Sequence, residues 1–399
     1  MRLPNHVAFY LQASILIFFL AASSAPTPLY PVYQAAWGFS PILVTVVFGV
    51  YALSVLGTLL VVGSLSDFVG RRPVFLVSLA LQIVAAVVFV RAGSVADLVT
   101  ARVIQGLSTG AAASALGAGM LDLDRRRGAI ASSVTPMMGT ATGAILSGLF
   151  VQYLPHPTKL VYLVLIGVFV VQAIGVLAMH ESAPRKPGAL ASLRPQLRLP
   201  AAARSTLFVA VPAIVGAWAL AGFYGSLGPA LVQRLSGGGS RALGGVSLFV
   251  LAGSGALAAY LTRSQSERRM MTFGNGLLVT GVTVALLAVS RGSLALFFAG
   301  TVMGGAGFGG AFPGALRSVI ARTAAHERAG VLSVIYVVAY LAMGLPAVAA
   351  GARVVYGGGL VSATYELGTT VVLLAALALA GTLRRAEPIT APASLRVPE

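Results

Sequence analysis

Cysteine is absent from the 399 residues, so neither a disulfide framework nor a thiolate metal site is possible. Acidic side chains are scarce, ten against 27 Lys and Arg, and charged residues of both signs make up only 9% of the chain. Soluble domains average about 25%. With 57% of residues hydrophobic, a soluble fold of this length could not keep its apolar surface from water; a bilayer has to act as the outer solvent. No cluster of metal ligands, nucleophile–base set or phosphate-cradling loop occurs in a sensible place, so the chain is not expected to be an enzyme or to hold a cofactor or metal. The net charge of +17 does not indicate nucleic acid, because the basic residues sit in short clusters between apolar runs and not on one face.

What is present is a series of apolar runs. A spanning helix needs about 20 mostly apolar residues. Such runs fall at 8–29, 42–63, 73–92, 97–119, 129–152 and 159–179, and again at 206–231, 243–262, 271–290, 293–316, 329–351 and 360–382. Strands of a membrane barrel would be shorter and alternating. Arg2, the first run and Ala21-Ala22-Ser23-Ser24-Ala25-Pro26 also have the form of a cleaved signal peptide. The stretch from Val7 to Leu29 is long enough to span, however, and its removal would leave an odd number of helices. Residues 181–205 carry Arg185, Lys186, Arg194, Arg198 and Arg204 among four prolines and read as a solvated linker. The expected organisation is a six-helix bundle at 1–180, a cytoplasmic linker at 181–205, a second six-helix bundle at 206–383 and a cytoplasmic tail at 384–399.

Orientation follows from the cations. With the N-terminus inside, 20 of the 27 Lys and Arg fall on the cytoplasmic side and six outside (Arg91, Lys159, Arg234, Arg241, Arg291, Arg353). Positive residues accumulate in cytoplasmic loops, so both termini are expected in the cytoplasm of a cell with a plasma or inner membrane. The one remaining cation, Arg102, lies inside the fourth run.

The second run ends in Gly63-x3-Asp67-x2-Gly70-Arg71-Arg72, and the fourth contains Arg102-x-x-Gln105-Gly106. At these two places the sequence resembles the major facilitator superfamily, whose loop between helices two and three and whose fourth helix carry these patterns. The fifth run reads Gly139-x3-Gly143-Ala144-x2-Ser147-Gly148 and is similar to the Gly-x3-Gly-Pro-x2-Gly-Gly of the family's efflux-type antiporters. Ala144 replaces the proline there, and a seam of small residues explains the spacing equally well. The resemblance implies an all-α membrane protein of twelve transmembrane helices in two pseudo-symmetric six-helix bundles. It implies that Asp67 sits against the start of the eleventh helix near Ala329, with Arg71 or Arg72 paired to Asp122, as a latch in the outward-open state. The second half keeps a worn copy of the loop motif at Ser264 and Glu267-Arg268-Arg269, as internal repeats of transporters do.

A charge inside a span is expensive and usually functional. Arg102 reads as a cavity cation that relays protons or holds an anionic substrate group; the alternative is a side chain snorkelling to the headgroups. Gln105 and Thr109 share its face. The family's cavity implies further lining by Tyr30, Tyr33 and Gln34 of the first run, Trp218 and Tyr224 of the seventh, Phe308 and Phe312 of the tenth, and Tyr336 and Tyr340 of the eleventh. Tyrosines at a span edge also serve as interfacial anchors. No acid or histidine lies in mid-membrane, which leaves Asp67, Asp97 and Glu366 as candidate proton carriers and favours an uncharged or anionic substrate. The resemblance thus implies a monomeric secondary transporter of a small molecule, in contact with lipid and without nucleic acid. Its leading form is a proton-coupled exporter; the alternatives are an uptake symporter or uniporter and a non-transporting membrane sensor or scaffold. Asp67→Asn is expected to loosen the latch and lower transport while folding stays intact, and an unchanged transport rate in that variant would dispose of the latch.

Overall fold

The computed structural model describes residues 3–195 and 197–384; Arg2 and the expected tail beyond Arg384 lie outside them. The described residues form helices and no strand. In chain order these are α1 Asn5–Ser24, α2 Pro26–Trp37, α3 Pro41–Val62, α4 Ser66–Val69, α5 Arg71–Arg91, α6 Val95–Leu123, α7 Arg125–Tyr153 and α8 Pro157–Leu177. They continue as α9 Ala189–Ser192, α10 Ala201–Ser226, α11 Gly228–Leu235, α12 Leu243–Leu261, α13 Glu267–Arg291 and α14 Leu294–Ile320. A single 3₁₀ turn, α15 Arg328–Tyr356 and α16 Gly359–Arg384 complete the chain.

Among the described residues eleven segments are long and apolar enough to cross a membrane, with α1 and α2 counted together as one of 33 residues. The expected twelfth is α6. Its 29 residues rise roughly 43 Å, but Arg102, Gln105 and a succession of Gly, Ala, Ser and Thr dilute its apolarity. The first span runs on to Trp37, eight residues past the apolar run. Pro26 and Pro28 fall in the first turn of α2, where their fixed φ suits a helix start, and Gly38 stops the helix in the left-handed region at φ 65°. The linker is shorter than expected. Pro200 is extended and α10 begins at Ala201, so the last five linker positions are helical.

Buried apolar side chains gather in two large clusters. One draws on residues from Ala8 to Met179 and the other on residues from Ala203 to Ala378, joined by Ala144. The two sets of helices meet chiefly where α3 packs on α15 and α7 on α12. The contacts fall between the arginine-poor ends and the helix midpoints. Thr45 lies against Gly351, Gly49 against Val348, and Gly148 against Ala242 and Gly245. The Thr27 hydroxyl donates to the Gly225 carbonyl (2.9 Å), and the Arg241 N–H donates to Gln152 Oε1 (3.0 Å). Phe48, Ala52, Met343 and Ala347 make a small apolar cluster of their own across the seam. Glycine is required here because a Cβ on Gly245 would collide with the Ala144 carbonyl.

A Cβ built on Gly344 stands 3.6 Å from that of Ala52, within disulfide range. In a chain free of cysteine, the pair Ala52→Cys and Gly344→Cys gives a clean test. Oxidation is expected to cross-link the two halves and cut transport at least tenfold, with recovery on reduction. Failure to cross-link in membranes would show that this seam is not closed in the resting protein.

Candidate functional site

The site begins with a gap in the backbone. Pro26 has no N–H to give to the Ala22 carbonyl one turn earlier, and a carbonyl left unpaired in a bilayer costs several kcal/mol. Gln105 of α6 fills the gap, its Nε2 donating to Ala22 O at 3.0 Å. That fixes Gln105 so that its Oε1 accepts from Arg102 Nη1 at 2.6 Å. Arg102 Nη1 also donates to Ser23 O (2.7 Å), and Nε and Nη2 both donate to the Tyr30 hydroxyl (3.2 and 2.7 Å). The Tyr51 ring of α3 lies 4.9 Å from the guanidinium carbon, a cation–π contact. Four donor contacts therefore go to neutral oxygens. Arg102 is 0% exposed, so it does not snorkel. Among the described residues the ion-paired acids answer Arg71, Arg127 and Arg353, and none answers Arg102. Gly106 and Gly110 press against the backbone of α3 at Tyr51 and Val55, with no room for a Cβ, which brings Tyr51 to the arginine.

Across the seam stands an aromatic cluster. Trp218 of α10 contacts Phe308 and Phe312 of α14 edge-on (6.0 and 5.3 Å between ring centres) and Tyr340 of α15 at 5.2 Å. Tyr336 adjoins Tyr340 at 6.4 Å. All five are half-buried, and the Trp218 indole N–H is buried without a partner. Trp218 and Tyr340 also pack on the Phe48, Ala52, Met343 and Ala347 cluster, which places the aromatics just inside the closed seam.

Three other expected cavity residues stand elsewhere. Tyr224 points into the second core, where its hydroxyl meets Thr301 Oγ1 at 2.7 Å beside a cavity of about 30 Å³. Tyr33 lines a separate pocket between α2, α5 and α8. Gln34 donates to the Phe39 carbonyl at 3.3 Å and closes the end of α2. Helical periodicity marks a face, but which neighbour covers that face depends on residues far away in the chain.

At the arginine-rich end Arg71 is the centre. Its side chain, 9% exposed, meets Asp67 Oδ1 at 2.5 Å and Asp122 Oδ2 at 3.2 Å, and donates to Ser66 Oγ at 2.6 Å. Asp67 therefore pairs within its own loop, and the neighbour of the start of α15 is Arg198 of the linker, packed on Gly330. Arg72 turns away from Asp122 and donates to the carbonyls of Val176 and Leu177 at the end of α8 (3.2 and 2.5 Å). The sequence reading passed over Glu181. Its carboxylate accepts from the backbone N–H of Arg71 and Arg72 (2.7 and 3.1 Å), an anion on a helix N-terminus. Gly70, at φ 97°, is required twice over, since a Cβ would also strike the Glu181 carboxylate. Gly63 ends α3. In the worn copy Ser266 caps α13 and Arg268 reaches the Leu383 carbonyl at 3.5 Å.

The fifth-run glycines form a packing seam. Gly139 and Gly143 seat α7 on the carbonyls of Ile17 and Ala21, and Gly148 meets α12. Ser147 Oγ donates to the Ala25 carbonyl at 2.6 Å. The candidate proton carriers are all engaged: Asp67 with Arg71, Asp97 in a capping box with Ser94, and Glu366 in a two-point pair with Arg353 (2.7 and 2.5 Å).

The sequence profile of the Major Facilitator Superfamily matches residues 13–345. The chain is also similar to the cephamycin export protein CmcT of Amycolatopsis lactamdurans, 34% identical over 153 residues. That stretch covers 37% of this chain and 31% of the relative, so the match spans under a third of the relative's length.

Tyr30→Phe removes the oxygen that accepts two guanidinium hydrogens while preserving the ring. Hydrogen bonds to a charged group contribute about 1.5–3 kcal/mol, so the thermal unfolding midpoint in detergent is expected to drop by several degrees. An unchanged midpoint would mean that Arg102 is held by its other contacts alone.

Proposed function

The chain belongs to the major facilitator superfamily, a family of membrane transporters, and from that footing we propose that it exports a small organic molecule by alternating access, coupled to protons. The moving bodies are the two helix sets, residues 1–180 and 206–383, joined by the linker. In the present state the two sets are held together toward the arginine-poor end, and on this reading the arginine-rich end, which the bias of cations assigns to the cytoplasm, is where substrate enters. The observation that carries the reading is the pairing of two features across one seam. On one side is the half-buried ring cluster around Trp218, with a free indole N–H. On the other is Arg102, a fixed positive charge held by neutral groups and reached through the Tyr51 ring. A planar, apolar compound that is neutral or carries one negative group suits both: rings stack on aromatic faces, and a cation would meet only positive charge. Similarity to an export protein supports the outward direction.

One observation favours a second reading, a facilitator without proton coupling. Among the described residues every acid sits near a helix end or in a loop, and the three candidate carriers are committed to partners. Coupling through Asp67 would require its pair with Arg71 to exchange for the start of α15 during the cycle.

Purified protein in sealed proteoliposomes decides between them, with a panel of aromatic acids and their neutral esters and an imposed proton gradient. Antiport is expected to drive substrate against its own gradient. Trp218→Ala is expected to raise KM about tenfold or more, as loss of a stacking anchor does, and Asp67→Asn to abolish the pH dependence. Movement of every substrate only down its own gradient, whatever the pH, would leave the facilitator; no movement of any compound, with the protein folded and oriented, would remove the transport reading.

A further inference from the structure

A second pocket stands apart from the cleft. It has a volume of about 190 Å³ and lies at the arginine-poor end between α2, α5 and α8, lined among others by Tyr33, Trp37, Phe89, Thr158 and Lys159. Helices α5 and α8 pack mainly on helices of the first set, so the pocket opens on the perimeter, which faces lipid. Its height is fixed by its walls: Trp37 is the last residue of α2, Lys159 lies in the first turn of α8, and Ala92 follows the end of α5. Helix ends with Trp and Lys sit at the membrane–water boundary.

Two cations at this boundary have no anionic partner. Lys159 lines the pocket and Arg91 stands between the lining residues Val90 and Ala92. Among the described residues neither enters an ion pair. Asp97, the nearest acid in sequence, is used up by the N–H groups of Gly93 and Ser94. Inside, Tyr33 is buried and its hydroxyl faces that of Tyr162; neither hydroxyl meets any other partner, and since one bond between them uses one hydrogen, the other is left without an acceptor. The aromatic walls are preformed: Tyr33 and Trp37 lie 4.9 Å apart, and Phe89 stacks on Tyr162 at 4.5 Å.

We propose that this pocket binds the headgroup of an anionic phospholipid of the leaflet on the arginine-poor side. The phosphate meets the Lys159 ammonium and the Thr158 hydroxyl. The Tyr33 hydroxyl donates to a glycerol ester oxygen, and the acyl chains leave along the outer faces of α5 and α8. The volume equals about six waters, enough for a glycerophosphate and too small for the chains, which suits an occupant that is itself part of the bilayer. Occupancy ties the end of α2 to α5 and α8, and thus the broken first span to the perimeter of its own helix set.

The test is the thermal unfolding midpoint of the purified protein in detergent, with added phosphatidylglycerol, phosphatidylcholine or inorganic phosphate. Phosphatidylglycerol alone is expected to raise it by several degrees. Lys159→Gln is expected to lose at least half of the rise, as is Tyr33→Phe, which retains the ring. Arg125→Gln, at the opposite end of the molecule, is expected to keep it. An equal rise with phosphatidylcholine, a full rise in both pocket variants, or the same rise with inorganic phosphate would each overturn the assignment, the last by showing a free-anion site. The readout is independent of transport.

Discussion

In a bilayer no water is available to a carbonyl that loses its helical donor, and two prolines create such carbonyls at corresponding places. Pro26 strips the donor from Ala22 near the end of α1; Pro229 strips it from Gly225 near the end of α10. The first vacancy is filled from inside the same helix set by Gln105, the second from across the seam by Thr27. Much of the site follows from these two repairs. Gln105, once fixed by Ala22, orients Arg102. Thr27, once given to Gly225, holds the arginine-poor ends together. Glycine at 225 also leaves room for the Phe48 ring, which a Cβ would strike.

The arginine-rich end obeys the same rule with charges. Helix α5 starts and α8 ends side by side, one presenting free N–H groups and the other free carbonyls. Glu181, just past α8, caps the start of α5; Arg72, just inside α5, caps the end of α8. Each helix supplies the charge that the other's terminus attracts. This exchange also docks the linker, since Lys186 N–H donates to the Phe68 carbonyl (2.8 Å) and Ser64 Oγ to that of Ser192 (3.1 Å). The loop motif is thus a joint between α3, α5, α6, α8 and the linker, with Asp67, 52% exposed, as its least constrained member.

How much of this was legible depended on whether the reason was local. The spans were readable because a bilayer imposes its thickness on every one of them; α6, expected at 97–119, is the one whose apolarity falls short of the others, because its polar and small residues serve neighbours and not lipid. Arg102 announced itself as a cation in an apolar run, but its partner Tyr51 did not, since the two are brought together only where glycines of α6 let α3 approach. Glu181 was invisible for a similar reason: it lies 110 residues from Arg71 in a stretch that composition marks only as linker. Tyr33 and Tyr224 were placed in the cleft on the strength of their helices, yet each turns toward the core of its own set. A single sequence shows that a tyrosine is available and leaves open which of three or four packed helices it will face.

The uneven strength of these contacts says where the molecule can move. Separating Arg102 from Ser23, Gln105 or Tyr30 would leave a buried charge short of acceptors, a loss of several kcal/mol. The elements that hold it, α1, α2, α3 and α6, are therefore tied into one body. The seam between α7 and α12, and between α3 and α15, is built differently. Glycines meet backbone there at Gly148 with Gly245 and at Gly49 with Gly344, and the bonds that cross, from Thr27 and Arg241, join neutral groups at about 1 kcal/mol net each. A neutral hydrogen bond and a smooth glycine face can be exchanged for lipid or water at low cost; a fixed cation in its socket cannot. The charge that makes the first helix set stiff is thus the reason that rearrangement has to occur at the seam, beside the aromatic cluster where a bound molecule would sense it.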